Sequence, residues 1–443
     1  MPGQSQRFIV PPAAGLAGQI RIPGDKSISH RALMLGAIAN GTTEVQGILA
    51  GDDCLATMNA MRALGVSIDE SAGDLLRIEG RGLDALHAPA QPLDLGNSGT
   101  AIRLLTGLLA GQAFDIELTG DRSLRTRPMQ RVAEPLGLMG AHIETTDGKA
   151  PLLIRGGSTL HGVEYDLPVA SAQVKSALLL AAMSARGTTT LHSPGPTRDH
   201  TERMLRTMGA SLTHDEDSQS VSIEGPVRLN AATLRVPGDF SSAAFFVVAA
   251  CFGAASGLLI ENIGVNPTRV GLLRILEHMG ADIELRNPRA MGAEPIADLY
   301  IKQSELRGID VPPELVSLSI DEFPILFIAA AGASGRTTVR GAEELRHKET
   351  DRLAVMARAL TELGIAVEEH SDGLTILGGQ VKGGVVDSGG DHRVAMACAI
   401  ASLLSTKTIE IDGTEQVATS FPDFAATAGR VGIDIDVVEA GAA

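Results

Sequence analysis

A chain of 443 residues is longer than one hydrophobic core ordinarily organises, so two or three domains are expected. Its 53 acidic against 37 basic side chains leave a formal charge of −16, which argues against non-specific nucleic-acid or acidic-membrane partners, and the absence of Trp with only two Tyr leaves few stacking platforms. Cys54, Cys251 and Cys398 form no CxxC pair and fit inert core thiols in a reducing, cytoplasmic setting, while the 11 His show no metal-ligand spacing, so no metal is expected.

In chain order, Met1 to Gly18 contains no basic segment leading into an apolar stretch, so no secretory signal is expected. Arg21-Ile22-Pro23-Gly24-Asp25 then forms a turn into a helix that starts near Ser27, with Lys26, Ser27, Ser29 and Arg31 in its first turns. Free backbone N–H groups and the positive end of the helix dipole favour an anion at such a start. The spacing of a Walker A loop is missing. From Asp52 to Leu64 a second helix places Leu55, Met58, Met61 and Leu64 on one side, with Asp53, Asn59 and Arg62 elsewhere, and stops at Gly65.

The same unit recurs. Second helices end at Gly65, Gly140, Gly209, Gly280, Gly364 and Gly432, at intervals of 68 to 84 residues. About half a unit earlier stand six apolar helices whose N-caps are expected at Ser27, Ser98, Ser171, Ser241, Asp321 and Asp391. Runs such as Ala177–Met183 and Val394–Ile400 are apolar all round, so these first helices belong inside a domain and the second ones outside. The expected order is helix, strands, helix, strand. Phe240 to Ile260 is uncharged and long enough to cross a bilayer, but its phase makes it the fourth core helix followed by a turn at Gly253, Ser256 and Gly257.

Six units divide into three and three, and Arg235-Val236-Pro237-Gly238-Asp239 repeats the first turn before unit four. The expected domains are therefore 25–238 and, with the amino-terminal tail, 1–24 plus 239–443, joined by two crossings that act as one hinge. Polar groups recur at the unit starts: Leu95-Gly96-Asn97-Ser98-Gly99-Thr100-Ala101-Ile102-Arg103, the loop Asp121–Pro128 with three arginines, Ser171-Ala172-Gln173-Val174-Lys175, Thr197-Arg198-Asp199-His200, Asp321-Glu322-Phe323-Pro324, Arg346–Arg352 and Asp391-His392-Arg393. Each alone reads equally well as capping residues and solvated charge. Recurrence in an acidic protein argues for anionic small molecules, held where the core-helix starts of both domains converge on an interdomain cleft.

From about Ile22 to the end, Lys26-Ser27-x-Ser29-x-Arg31, Gly96-Asn97-x-Gly99-Thr100, Arg127-Pro128, Lys348-Glu349-x-Asp351-Arg352 and Asp391-His392-Arg393 resemble, in the same order, the 5-enolpyruvylshikimate-3-phosphate synthase family. The resemblance implies an α/β, two-domain enolpyruvyl transferase fold, each domain of three βαβαββ units with buried core helices and mixed sheets. It also implies transfer of the enolpyruvyl group of phosphoenolpyruvate to the 5-hydroxyl of shikimate 3-phosphate, without a cofactor, by a monomer that takes small-molecule substrates and neither nucleic acid nor membrane. Ser27, Arg31, Ser171, Ala172, Gln173 and Arg198 would hold shikimate 3-phosphate, with Asp321 and Lys348 at its ring hydroxyls. Lys26, Arg127, Gln173, Arg352 and Arg393 would hold phosphoenolpyruvate, beside Gly99. Lys26, Asp321 and Glu349 would be catalytic, Asp321 as base for the attacking oxygen and Glu349 with Lys26 at the methylene carbon.

Leu104, Ala172 and Thr419 resemble the class II branch of that family; Thr419 stands where the other branch often has Lys and has no assigned role. Gly99 leaves room for glyphosate, so tolerance to it does not follow. Two rivals share the fold. One is the transferase that uses UDP-N-acetylglucosamine, against which count the lack of a Cys in Arg122–Arg127 and the Ser after Lys26. The other is a non-catalytic binding protein.

Overall fold

The computed structural model describes residues 6–215 and 218–439. They form two compact units. The amino-terminal unit comprises Gly24–Val236 together with Met291–Glu294; the carboxy-terminal unit comprises the chain up to Pro23, Pro237–Ala290, and everything from Pro295 onward.

In the amino-terminal unit the helices are α1 (Lys26–Ile38), α2 (Asp52–Ala63), α3 (Gly99–Leu109), α4 (Gln130–Leu138), α5 (Ala172–Ala182) and α6 (His200–Thr207). The apolar members α1, α3 and α5 are almost wholly buried, with Leu33, Leu35, Leu105, Leu178 and Leu179 fully inside. Each such leucine stabilises by about 1.5–3 kcal/mol relative to exposure. Small residues let these helices touch. A Cβ on Gly107 of α3 would lie 2.0 Å from the Ala177 carbonyl of α5, a contact that any larger residue would break.

Three four-stranded sheets flank them. In each, a short edge strand runs parallel to the strand after the core helix, which then pairs with an antiparallel hairpin: Leu93–Asp94, Ile116–Thr119, Lys149–Arg155, His142–Thr146 is one such order. The repeat is therefore strand, core helix, strand, outer helix, two strands, which corrects the simpler order expected from the sequence. The hairpin follows because alternation resumes after each outer helix. All six C-terminal glycines take positive φ, from +87° to +107°, a conformation that costs Gly little.

In the carboxy-terminal unit follow α7 (Phe240–Gly253), α8 (Gly271–His278), α9 (Pro313–Val316), α10 (Phe323–Gly332), α11 (Arg352–Glu362), α12 (His392–Ile400) and α13 (Phe424–Val431). Phe245, Phe246, Phe421 and Phe424 cluster at ring-centroid distances of 5.6–6.1 Å. The long uncharged run breaks after Gly253 and continues as strand Leu258–Gly264, and no helix among the described residues is long and apolar enough to cross a membrane.

The two Pro-Gly-Asp turns exchange strands. Gly18–Arg21, just before α1 in sequence, pairs parallel with Leu258–Gly264, whereas Thr233–Arg235, just before α7, pairs parallel with Asn40–Gln46. Gln6–Val10 likewise lies between Ile409–Asp412 and Asp436–Glu439, completing the last sheet. Each unit thus closes with chain borrowed from far away in sequence.

Candidate active site

The helix starts show how polar side chains are aimed. Ser98, Ser171 and Asp391 cap α3, α5 and α12, accepting from Ala101, Val174 and Arg393 backbone N–H groups at 3.1, 3.4 and 2.9 Å. Three expected caps are corrected. Asp25 and Asp239 of the two Pro-Gly-Asp turns cap α1 and α7, accepting from Ile28 and Ser241 N–H, in place of Ser27 and Ser241. Asp321 caps nothing, because α10 begins after Glu322, which makes no side-chain cap bond, with Pro324 in the first turn.

In the amino-terminal unit, Arg31 is only 4% exposed. Its Nε donates to Thr201 Oγ1 at 2.6 Å, Nη2 to Ser176 Oγ at 2.8 Å and Nη1 to the Ser27 carbonyl at 2.9 Å. Burial pulls its pKa down to about 10, against the pull of Glu202 and Asp25. It stays charged at neutral pH. These contacts engage three of its five N–H donors.

Lys26 Nζ lies 3.1 Å from Asp53 Oδ2. Of the expected stripe on α2, Met58, Met61 and Leu64 are buried, but Leu55, at 37%, faces out and Asp53, 6% exposed, faces inward. The ion pair with Lys26 gives that buried carboxylate a partner. Gln173 bridges two elements, its Oε1 accepting from Arg103 Nη1 at 2.5 Å and its Nε2 donating to Thr100 Oγ1 at 3.0 Å. Arg127 donates to Asn97 Oδ1 and, at 3.3 Å, to Ser123 Oγ. Gly99 sits beneath these arginines; a Cβ there would lie 2.9 Å from Arg127 Nη1 and 3.3 Å from Arg103 Nη1. Ser171, Ala172 and Gln173 form the start of α5, and Arg198 precedes α6 half-buried.

His30, in the same helix turn as Arg31, is fully buried, 2.8 Å from Thr57 Oγ1 and 3.3 Å from Ser98 Oγ. Burial, then Lys26 and Arg31, push its pKa down to about 3. The imidazole is neutral and ties α1 to the cap of α3.

In the carboxy-terminal unit, Arg352 is 1% exposed and surrounded by carboxylates. Its Nε donates to Asp391 Oδ2 at 2.8 Å and its Nη2 to Glu349 Oε2 at 2.5 Å, and Nη1 lies 3.5 Å from Asp321 Oδ1. Burial works against its charge, yet Asp391, Glu349 and Asp321 together raise its pKa. Lys348 Nζ lies 3.4 Å from the same Asp321 oxygen. Arg393, 8% exposed, follows Asp391 at the start of α12. Asp321, Lys348, Glu349 and Arg352 are thus brought together within this unit; in the other, Lys26 and Arg31 lie in the first turns of α1, Gln173 at the start of α5 and Arg127 in the loop before α4.

Sequence reasoning missed Asp53, Thr201, Ser176 and Arg103 as partners. Arg103 carried a usable signal, a cation one turn inside an otherwise apolar helix. Thr419 gives its hydroxyl to the Gln416 carbonyl at 2.6 Å, inside its own turn. Among the described residues, no group of three or more His, Cys, Asp or Glu is placed to hold a metal ion. The cysteines are free and buried, and burial pushes the Cys251 and Cys398 thiols up to about 12.

Buried arginines, a lysine and ion-paired carboxylates at and just before helix starts define an α/β enzyme for small, multiply charged anions. Residues 10–427 match the family model of EPSP synthase (3-phosphoshikimate 1-carboxyvinyltransferase), and the chain belongs to this family. It is 55% identical over 431 residues to a 3-phosphoshikimate 1-carboxyvinyltransferase of Methylococcus capsulatus, covering 97% of this chain and 98% of the relative. A protein of the same name from Legionella pneumophila is 49% identical, covering 97% and 99%. A solved EPSP synthase structure from Acinetobacter baumannii superposes with a TM-score of 0.87 at 48% identity, covering 98% of this chain and all of that one.

Proposed function

We infer that the protein transfers the enolpyruvyl group of phosphoenolpyruvate to the 5-hydroxyl of shikimate 3-phosphate and releases phosphate, a step toward chorismate and the aromatic amino acids. The observation that carries this is near-complete coverage at about half identity by proteins bearing that one activity in their names.

The residue roles form part of the same reading. Arg31 and Ser27 take the shikimate carboxylate, and Ser171, the Ala172 backbone, Gln173 and Arg198 take the 3-phosphate. Lys26, Arg127 and Gln173 take the phosphoenolpyruvate phosphate beside Gly99, while Arg352 and Arg393 take its carboxylate. Asp321, with Lys348, meets the ring hydroxyls. In the addition step the 5-oxygen bonds to C2 of phosphoenolpyruvate, its proton passes to Asp321, and C3 gains a proton from Glu349 or Lys26. Elimination then returns a C3 proton to the enzyme as the C2–O bond to phosphate breaks. Positioned acids and bases of this kind contribute roughly 10²–10⁴-fold each, and cations offset the charge gathering on the leaving phosphate. The burial of Arg31 and Arg352 supports these roles, because a buried guanidinium arrives already desolvated and oriented.

A monomer in the cytoplasm completes the reading; the three free, buried thiols suit a reducing compartment. Inorganic phosphate release from phosphoenolpyruvate, with shikimate 3-phosphate and UDP-N-acetylglucosamine offered separately, tests the acceptor. Release with shikimate 3-phosphate alone is expected; release with the nucleotide sugar, or with neither, refutes the assignment.

A further inference from the structure

We propose that Glu294 is a positioning residue for shikimate 3-phosphate: through His200 it fixes the first turn of α6, and so sets where Thr201 holds the Arg31 guanidinium. This rests on the reading that Arg31 takes the shikimate carboxylate.

The chain of contacts lies wholly within the amino-terminal unit, of which Met291–Glu294 is part. Glu294 Oε1 stands 2.8 Å from His200 Nδ1, with the two side chains 9% and 2% exposed. A carboxylate accepts only, so Nδ1 carries the hydrogen. His200 is the first residue of α6, and the next residue, Thr201, accepts from Arg31 Nε at 2.6 Å and donates to Ser176 Oγ at 2.7 Å. Ser176 in turn accepts from Arg31 Nη2 at 2.8 Å. Arg31 is therefore aimed by two hydroxyls, one of which rides on α6.

That helix does little to fix its own start. It has eight residues, and its N-cap Asp199 makes no side-chain cap bond. Helices this short are marginal without tertiary contacts. The four-residue tip supplies them twice: Glu294 binds His200, and the Ala293 carbonyl accepts from Arg203 Nη1 at 2.9 Å, while Arg203 Nε reaches back to Asp199 at 2.8 Å. Glu294 is also among the carboxylates that favour the charged form of buried Arg31, after Glu202 and Asp25. Glu202, the third residue of α6, lies 2.6 Å from Lys175 of α5, so the same helical turn carries both a hydroxyl and a charge for this cluster.

The test is titration calorimetry of the full-length protein with shikimate 3-phosphate alone, together with steady-state kinetics, for Glu294→Leu, Glu294→Gln and Arg31→Ala. Glu294→Leu, near in shape but unable to accept, is expected to raise the shikimate 3-phosphate Kd and KM on the order of 10-fold, with kcat and the phosphoenolpyruvate KM within about twofold, since small misplacements of an orienting group cost this much. Glu294→Gln still accepts from His200 and is expected to recover most of the affinity. A lowered melting temperature with unchanged Kd in Glu294→Leu, or equal losses in both Glu294 variants, overturns the proposal. If Glu294→Leu does not fold, His200→Gln decides on the same readout: a weaker Kd is expected, and an unchanged one overturns. Loss of affinity in Arg31→Ala without loss in Glu294→Leu sinks this inference alone; an unchanged Kd in Arg31→Ala sinks the substrate reading beneath it.

Discussion

Asp391 ties an arginine on one helix to the start of another: its Oδ2 accepts from Arg352 Nε at 2.8 Å while its Oδ1 caps α12 at the Arg393 N–H. The side chains are 0% and 1% exposed, so neither charge has water to fall back on. Asp391→Asn keeps an oxygen for the cap but removes the charge, and is expected to cost about 3 kcal/mol, the scale seen when one partner of a buried pair is lost. Asp391→Ala, losing the cap as well, should cost about 1 kcal/mol more. Urea unfolding midpoints measure both, and a loss below about 1 kcal/mol in Asp391→Asn contradicts this account.

Gly99→Ala places a methyl group 2.9 Å from Arg127 Nη1, the far end of a flexible side chain, and 3.3 Å from Arg103 Nη1. The backbone can stay, so the arginines shift. The phosphoenolpyruvate KM is expected to rise on the order of 10-fold with the shikimate 3-phosphate KM little changed. Glyphosate inhibition should weaken further, since a shape-matched inhibitor loses more than a substrate that can re-seat. Equal loss for both in steady-state inhibition assays refutes the idea.

Much of this was visible in the residues. The six repeat glycines mark six left-handed helix ends, and Ser98, Ser171 and Asp391 cap as their position suggests, because both are local signals. Ser27 and Ser241 failed as caps since an aspartate two residues earlier offers an equally placed oxygen, a choice that composition alone does not settle. What stayed hidden depends on distant chain. The repeated Pro-Gly-Asp turn suggests that the tail belongs with the carboxy-terminal half, but nothing near Gly18–Arg21 or Thr233–Arg235 announces which strand each would pair with. Asp53 read as a solvated helix charge until Lys26, 27 positions away, gave it a buried partner. Glu294, far from every recognisable segment, carried no pattern at all.

His30 makes acid stability testable. Its folded pKa, about 3, lies below the unfolded value near 6.5, so the unfolded chain binds the proton first. Stability from keeping it neutral is full above pH 6.5 and falls as pH drops toward 3, with a slope of at most about 1.4 kcal/mol per pH unit from this one group. His30→Gln loses the imidazole packing but also this proton uptake. Its chemical-denaturation stability between pH 6.5 and 4 should therefore decline less steeply than that of the unaltered protein; parallel curves refute the assignment.

Asp321 stands with Lys348 Nζ at 3.4 Å and Arg352 Nη1 at 3.5 Å, both against its Oδ1. Those two cations hold the side chain in place on the reading that makes it the base for the attacking oxygen. Asp321→Asn preserves the shape and abolishes proton acceptance, so kcat for phosphate release should fall by roughly 10²–10⁴-fold, with shikimate 3-phosphate affinity nearly unchanged. Glu349→Gln should lower kcat on the same scale, and because its Oε2 also holds Arg352 Nη2 at 2.5 Å, it should raise the phosphoenolpyruvate KM where Asp321→Asn does not. Exchange of phosphoenolpyruvate methylene hydrogens with solvent separates the two further. A Glu349 that handles the C3 proton predicts exchange suppressed in Glu349→Gln; undiminished exchange there would move the C3 proton to Lys26 alone.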